Sequence, residues 1–332
     1  MNDFLRSLSP SQQVGMLFVT VFGLLALATI ALLFANLREQ RAPTDDAHVA
    51  QLQDFQQLLT TSWGMVVLFW LAWASGENLA TFLFAAIAFF ALREFITLSP
   101  TRRGDHRSLV LAFFVVLPIQ FWLVATRHFD LFTVFIPVYV FLALPVASAL
   151  SGDPQRFLER NAKLQWGIMV CIYGMSHVPA LLLLQFPNRH YEGKQAFLVF
   201  FLVMVVQACM LVQHLVTRRL RRAPSLPGIS SSFHWRGWSW GVLAGSVLGG
   251  ALSFITPFKP GQALATAFIA SVAGSLGHLV MKALKRDRGV TDWGLRGRSV
   301  TGANGLLDRV DALCFAAPIF FHSVRWYFGA AA

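Results

Sequence analysis

Between two apolar runs, from Gly277 to Asp311, lie Lys285, Arg286, Asp287, Arg288, Asp292, Arg296, Arg298, Asp308, Arg309 and Asp311. Cations at this density can hold a polyphosphate. Carboxylates at i and i+3 share one face of a helix, so Asp308 and Asp311 can share a divalent cation. The same charges equally suit a solvated, positive loop between two membrane spans. No Walker motif, GxSxG elbow or HExxH occurs in the chain, and no internal repeat is evident. From Gly193 to Arg286 there is not one Asp or Glu. A hard cation on that part of the chain would have to use neutral ligands, which Mg²⁺ disfavours.

The elements that must position these residues are membrane spans. The chain has 332 residues, 56% of them hydrophobic and 13% charged, where soluble domains carry about 25% charged residues. The composition predicts an all-α polytopic membrane protein, a bundle of about 9–10 transmembrane helices. It reads as one integral membrane domain over 1–332, with the charged stretch 277–311 between the last two spans. The candidate spans are Val14–Leu37, Trp63–Ser75, Leu79–Phe95, Leu109–Ala125, Leu131–Leu150, Gln165–Phe186, Gln195–Val216, Gly237–Phe258, Gln262–Leu284 and Ala312–Phe328. The first is longer than a signal-peptide core and reads as retained. Cys171, Cys209 and Cys314 lie in apolar stretches without metal-ligand spacing and read as core thiols.

The net charge of +11 points to anionic lipid heads rather than nucleic acid. With the N-terminus outside, the inner loops hold 21 of the 27 Lys and Arg, including seven in the 277–311 stretch. The positive-inside rule therefore places that stretch in the cytoplasm. Between Arg38 and Thr61, the residues Val49, Leu52, Phe55, Leu58 and Leu59 suit either a surface-lying amphipathic helix or an ordinary cytosolic one. The clusters RRGDHR (102–107) and RRLRR (218–222) fit topology alone or lipid-phosphate binding. YGMSHVPA (173–180) sets Ser176 and His177 beside Pro179 inside a span, as a kink or as the polar wall of a cavity. Gly241, Gly245 and Gly249 recur every four residues and predict close packing between the eighth and ninth spans. Ala270, Gly274 and His278 form a similar line, on which His278 reads as an interhelical histidine.

The charged stretch resembles the C-terminal signature of the phosphatidate cytidylyltransferase (CDP-diacylglycerol synthase) family. Lys285-Arg286 matches its K-R, Gly289 and Asp292 match the following segment, and Leu306-Leu307-Asp308-Arg309-Val310-Asp311 matches its closing D-R-x-D element. Trp293-Gly294, Leu92-Arg93-Glu94-Phe95, YGMSHVPA and the run Ala316 to His322 are similar to one bacterial branch. The resemblance implies CTP and phosphatidic acid, or a related anionic lipid, as substrates. It implies a CDP-lipid and pyrophosphate as products, and Mg²⁺ or another divalent cation as cofactor. It puts metal on Asp308 and Asp311, catalytic roles on Asp308, Asp311 and Lys285, and substrate contacts on Lys285, Arg286, Arg309 and Asp292. A bacterial inner membrane is the implied location, with a homodimer as the candidate assembly and no nucleic-acid partner.

Several family positions differ. Gly277-His278 stands for G-D, Thr291-Asp292 for K-D, and Thr301-Gly302-Ala303-Asn304-Gly305 for P-G-H-G-G. Met210 falls where the family carries an acid in a span, and Ser230 to Gly237 keeps Trp235 and Gly237 of a longer polar motif. Three functions are therefore carried forward: a membrane cytidylyltransferase, a catalytically degenerate relative that binds anionic lipid or a partner protein, and a transporter. The transporter lacks support, because neither the mid-span ionisable residues nor the inverted repeats usual in transporters stand out.

Overall fold

A computed structural model describes residues 10–41, scattered positions from 56 to 76, and 77–99, 101–186, 195–220, 223–230, 232–290, 293–294 and 305–328. The described residues form helices and no strands. The chain divides into two compact units, Met1–Gly76 and Glu77–Ala332.

The first unit holds α1 (Pro10–Arg41). Its apolar segment Val21–Phe34 packs Phe22 against Trp63, whose indole N–H donates to Thr29 at 3.0 Å. Of the expected amphipathic helix, Val49, Leu52, Phe55 and Leu58 lie outside the described residues, and Leu59 is buried.

The second unit runs α2 (Glu77–Thr97), α3 (Arg103–Ala125), α4 (Phe129–Ala149), α5 (157–182), α6 (Gln195–Leu220), α7 (Trp235–Ile255), α8 (Pro260–Asp287) and α9 (Leu306–Phe328). Among the described residues six helices, α2, α3, α4, α6, α7 and α8, are long and apolar enough to cross a membrane. The chain is thus an all-α polytopic membrane protein. α5 and α9 are as long but open on polar residues, Glu159-Arg160-Asn161 and Asp308-Arg309. Within α3, α4 and α5 the ladder widens to π-turns at Ala112–Val116, Phe135–Val140 and Ile168–Gly174, each at or next to a span that carries proline. Proline lacks the N–H that the α-helical ladder requires.

One local expectation changes. Residues 157–163, read as loop, form the start of α5. Arg160 accounts for this: its buried guanidinium donates to Asp153 at 2.5 Å and lies 3.0 Å from Asp105. The nearby Asn161 amide donates to the backbone carbonyl of Phe157 at 2.9 Å. The backbone N–H of Gln155 on Asp153, together with Arg160, holds the Asp153 carboxyl below its ordinary value. In the YGMSHVPA segment Gly174 to Ala180 are buried and Tyr173 is half-buried, with His177 against Phe132 of α4 and Phe321 of α9. His177 Nδ1 donates to the Tyr173 carbonyl at 2.6 Å, and Ser176 Oγ donates to the same oxygen at 2.8 Å. Both side chains thus bond one backbone carbonyl in the turn before Pro179, which fits the kink.

Small residues seat the helices that carry the charges. A Cβ on Gly241 would lie 2.6 Å from the Cys209 carbonyl of α6, and one on Gly249 would strike Ala267 of α8. One on Gly245 would strike Ser271 of α8 and lie 3.0 Å from the Val205 carbonyl of α6. The glycine line therefore packs against α8 as expected, and against α6 as well. α9 is held by the same means: a Cβ on Gly174 of α5 or Gly277 of α8 would strike Cys314 or Phe315 of α9. Gly245→Leu is expected to destabilise the detergent-solubilised protein by about 1–3 kcal/mol through overpacking. Gly250→Ala, whose added methyl would meet Leu264 at 3.8 Å, is expected to melt like wild type. Thermal unfolding of the two variants checks both outcomes.

Candidate functional site

The site forms where α8 ends and α9 begins. His278, Lys282 and Lys285 recur at i, i+4 and i+7 and so line one face of α8. Asp308 and Asp311 line one face of the first turns of α9 in the same way. The two faces meet as an antiparallel ladder. Lys285 Nζ donates to Asp308 Oδ1 at 2.6 Å, and His278 Nδ1 lies 2.7 Å from Asp311 Oδ2. A carboxylate accepts, so this imidazole nitrogen carries the proton. Lys282 stands between the rungs, within electrostatic reach of Asp311 and Lys285. It makes no hydrogen bond or close ion pair with the described residues.

Backbone groups complete the carboxylates. The Trp293 N–H donates to Asp308 Oδ2 at 2.7 Å, and the Ala312 N–H to Asp311 Oδ1 at 2.6 Å. Asp311 is 3% exposed, so each of its oxygens needs such a donor. The segment that follows α8 is thereby tied, at Trp293, to the first turn of α9.

α2 supplies the third wall. Glu94, buried near its C-terminal end, accepts the Leu307 N–H at 2.9 Å. Leu307 lies in the first turn of α9, whose N–H groups have no partner within the helix. A carboxylate there also suits the positive end of the helix dipole. Beside it, Phe95 stacks on Trp293 at 5.4 Å between ring centroids. Gly305 closes the corner, since a Cβ there would lie 2.6 Å from Glu94 Oε2 and 2.7 Å from the Gly294 nitrogen.

The structure therefore brings together Lys285, Asp308 and Asp311 from the sequence-expected set. Arg309 is half-buried beside them, and its Nε is buried with no partner among the described residues. Arg286 is exposed, one residue past Lys285. Asp292 lies outside the described residues, as do Thr291, Arg296, Arg298 and Ala303. Met210 is half-buried on α6. Sequence reasoning passed over Glu94 and Lys282 as site residues. Glu94 had a readable signal, a lone acid inside the apolar run AFFALREFI. Lys282 had one too, its place on the 278/282/285 stripe.

The fit of a divalent ion can be judged from these donors. All four oxygens of Asp308 and Asp311 already face an N–H donor. An ion on Asp308 would also stand against the Lys285 ammonium, like charge against like. No group of three or more His, Cys, Asp or Glu side chains arranged for a metal occurs among the described residues. These residues do not fit a divalent ion held on Asp308 and Asp311.

Removing one partner of a buried ion pair strands the other charge. Both side chains of the Lys285–Asp308 pair are little exposed, at 12% and 13%. Lys285→Met is expected to lower stability by about 3–5 kcal/mol. Adding Asp308→Leu to it is expected to recover part of that loss, as a double-mutant thermal-unfolding cycle would show.

Comparison with known proteins gives two findings. The sequence model of the cytidylyltransferase family matches residues 55–327. The chain is also similar to the uncharacterized protein YnbB of Escherichia coli (strain K12), 32% identical over 310 residues, which cover 92% of this chain and 97% of that protein.

Proposed function

Because this chain belongs to the cytidylyltransferase family, we propose that it transfers the cytidylyl group of CTP to the phosphate of a phosphatidic-acid-type lipid, forming a CDP-lipid and pyrophosphate. Membership implies CTP-dependent transfer. The observation that carries the finer reading is the Lys285–Asp308 pair at the start of α9, on the element whose D-R-x-D wording resembles the phosphatidate enzymes.

In this reaction an oxygen of the lipid phosphate attacks the α-phosphorus of CTP. The bond from the α-phosphorus to the bridging oxygen breaks, and pyrophosphate leaves with the electron pair. The lipid is its own nucleophile, so the protein needs no nucleophilic side chain. Its task is to bring anions together and to spread the charge that grows on the bridging oxygen. Lys285 is suited to this: one of its three N–H donors is fixed by Asp308, which leaves two for phosphate oxygens. Arg309 has an uncommitted Nε, and Arg286 is open to solvent at the same helix end. Asp308 and Asp311 act as positioning residues that hold Lys285 and His278.

In this reading the site faces the cytoplasm of a bacterial inner membrane, as the 21-to-6 division of Lys and Arg favours. CTP reaches it from the cytosol and the lipid from the bilayer. A second reading, a degenerate relative that binds anionic lipid or a partner protein, draws on His278, which fills a family carboxylate position and engages Asp311.

Pyrophosphate release by the purified protein separates the two. The enzyme reading expects release with CTP and phosphatidic acid together and none with either alone. It expects Arg309→Gln to lower kcat/KM by about 100-fold, the scale of one preorganised donor. Folded wild-type protein that binds phosphatidic acid but releases no pyrophosphate would establish the second reading instead.

A further inference from the structure

We propose that the α8–α9 junction is a preformed phosphate site in which Lys282, Lys285 and Arg309 do the neutralising, with no divalent ion resident on Asp308 and Asp311. The inference rests on the cytidylyltransferase reading and deepens it, by naming what the site binds and how it balances charge.

The polar groups left open decide the sign of the missing partner. A cation site is lined by acceptor oxygens in excess of the donors around them. Here each oxygen of Asp308 and Asp311 has its N–H donor. The groups left over are donors. Arg309 Nε and Trp293 Nε1 are buried and have no partner among the described residues. Trp293 is 2% exposed, and its backbone N–H is already on Asp308. Lys282 is an ammonium on the same helix face, with no hydrogen bond among the described residues. Stranded donors are costly when buried, and an anion is the class of ligand whose oxygens relieve them. Phosphate oxygens supply enough acceptors, and phosphate is the group this family handles.

Charge points the same way: Lys282, Lys285 and Arg309 balance the three carboxylates of Asp308, Asp311 and Glu94 with no metal ion, before His278 is counted. The Nδ1–H of His278 donates to Asp311 whether its ring is neutral or charged, so the pairing does not depend on its ionisation. With His278 in place, Asp311 is engaged by a donor instead of facing a second carboxylate. The positive charge that a divalent ion would bring is supplied by side chains. The phosphate could belong to the nucleotide or to the lipid head, since both offer the same oxygens.

The test is binding by full-length protein in detergent, with CTP, phosphatidic acid in mixed micelles, or inorganic phosphate as probes. Each is measured with excess EDTA and with excess Mg²⁺. Wild type is expected to bind CTP or phosphatidic acid with affinities in the two buffers that agree within about threefold. The probe that binds in EDTA identifies the source of the phosphate. His278→Asp is expected to weaken binding in EDTA by at least about tenfold and to regain it with Mg²⁺. Wild-type binding that falls at least about tenfold in EDTA overturns the proposal. That result would need no variant to fold, and it would leave the transferase reading intact if pyrophosphate were released with Mg²⁺. A folded His278→Asp that tracks wild type in both buffers also overturns it. Failure of every probe in both buffers overturns this proposal and the transferase reading together.

Discussion

Buried charge at the start of α9 is the constraint on which the second unit depends. The first turns of that helix carry Asp308 and Asp311 together with N–H groups that the helix itself cannot bond. Each must find a partner away from bulk water. Lys285 and His278 meet the carboxylates from α8, and Glu94 meets the Leu307 N–H from α2. Those three contacts set where α2, α8 and α9 converge. The glycines at 174 and 277 then allow the helices to approach closely enough for the contacts to form.

The site follows from this constraint as much as the fold does. A lysine held by a buried aspartate loses much of its conformational freedom before any ligand arrives. A ligand phosphate then meets a fixed donor, which reduces the ordering cost of binding. Glu94 and Gly305 act at one remove by fixing the helix end that presents Arg309.

Much of this was legible in the sequence for physical reasons. Composition and span length suffice for an all-α membrane protein, because a lipid environment leaves the backbone few alternatives. The four-residue spacing of Gly241, Gly245 and Gly249 suffices for a close helix contact. The start of α5 was not legible, because Arg160 and Asn161 read as loop residues until Asp105, Asp153 and Ser148 are seen around them. Partner choice at the site was hidden likewise. Spacing puts Asp308 and Asp311 on one face, but it cannot say that this face meets Lys285 and His278 rather than an ion. Glu94 is 213 residues from its partner Leu307, beyond the reach of any local pattern.

The central claim is that the charges at the α8–α9 junction support attack by a lipid phosphate on the α-phosphorus of CTP. Isotope tracing tests it most directly. Purified protein in phosphatidic acid micelles would be given CTP labelled at either the α- or the γ-phosphorus. The account predicts that α-label enters the organic-extractable lipid while γ-label leaves as pyrophosphate, and that both fluxes fall together in Arg309→Gln. Release of γ-label as inorganic phosphate, with no α-label in lipid, would contradict it.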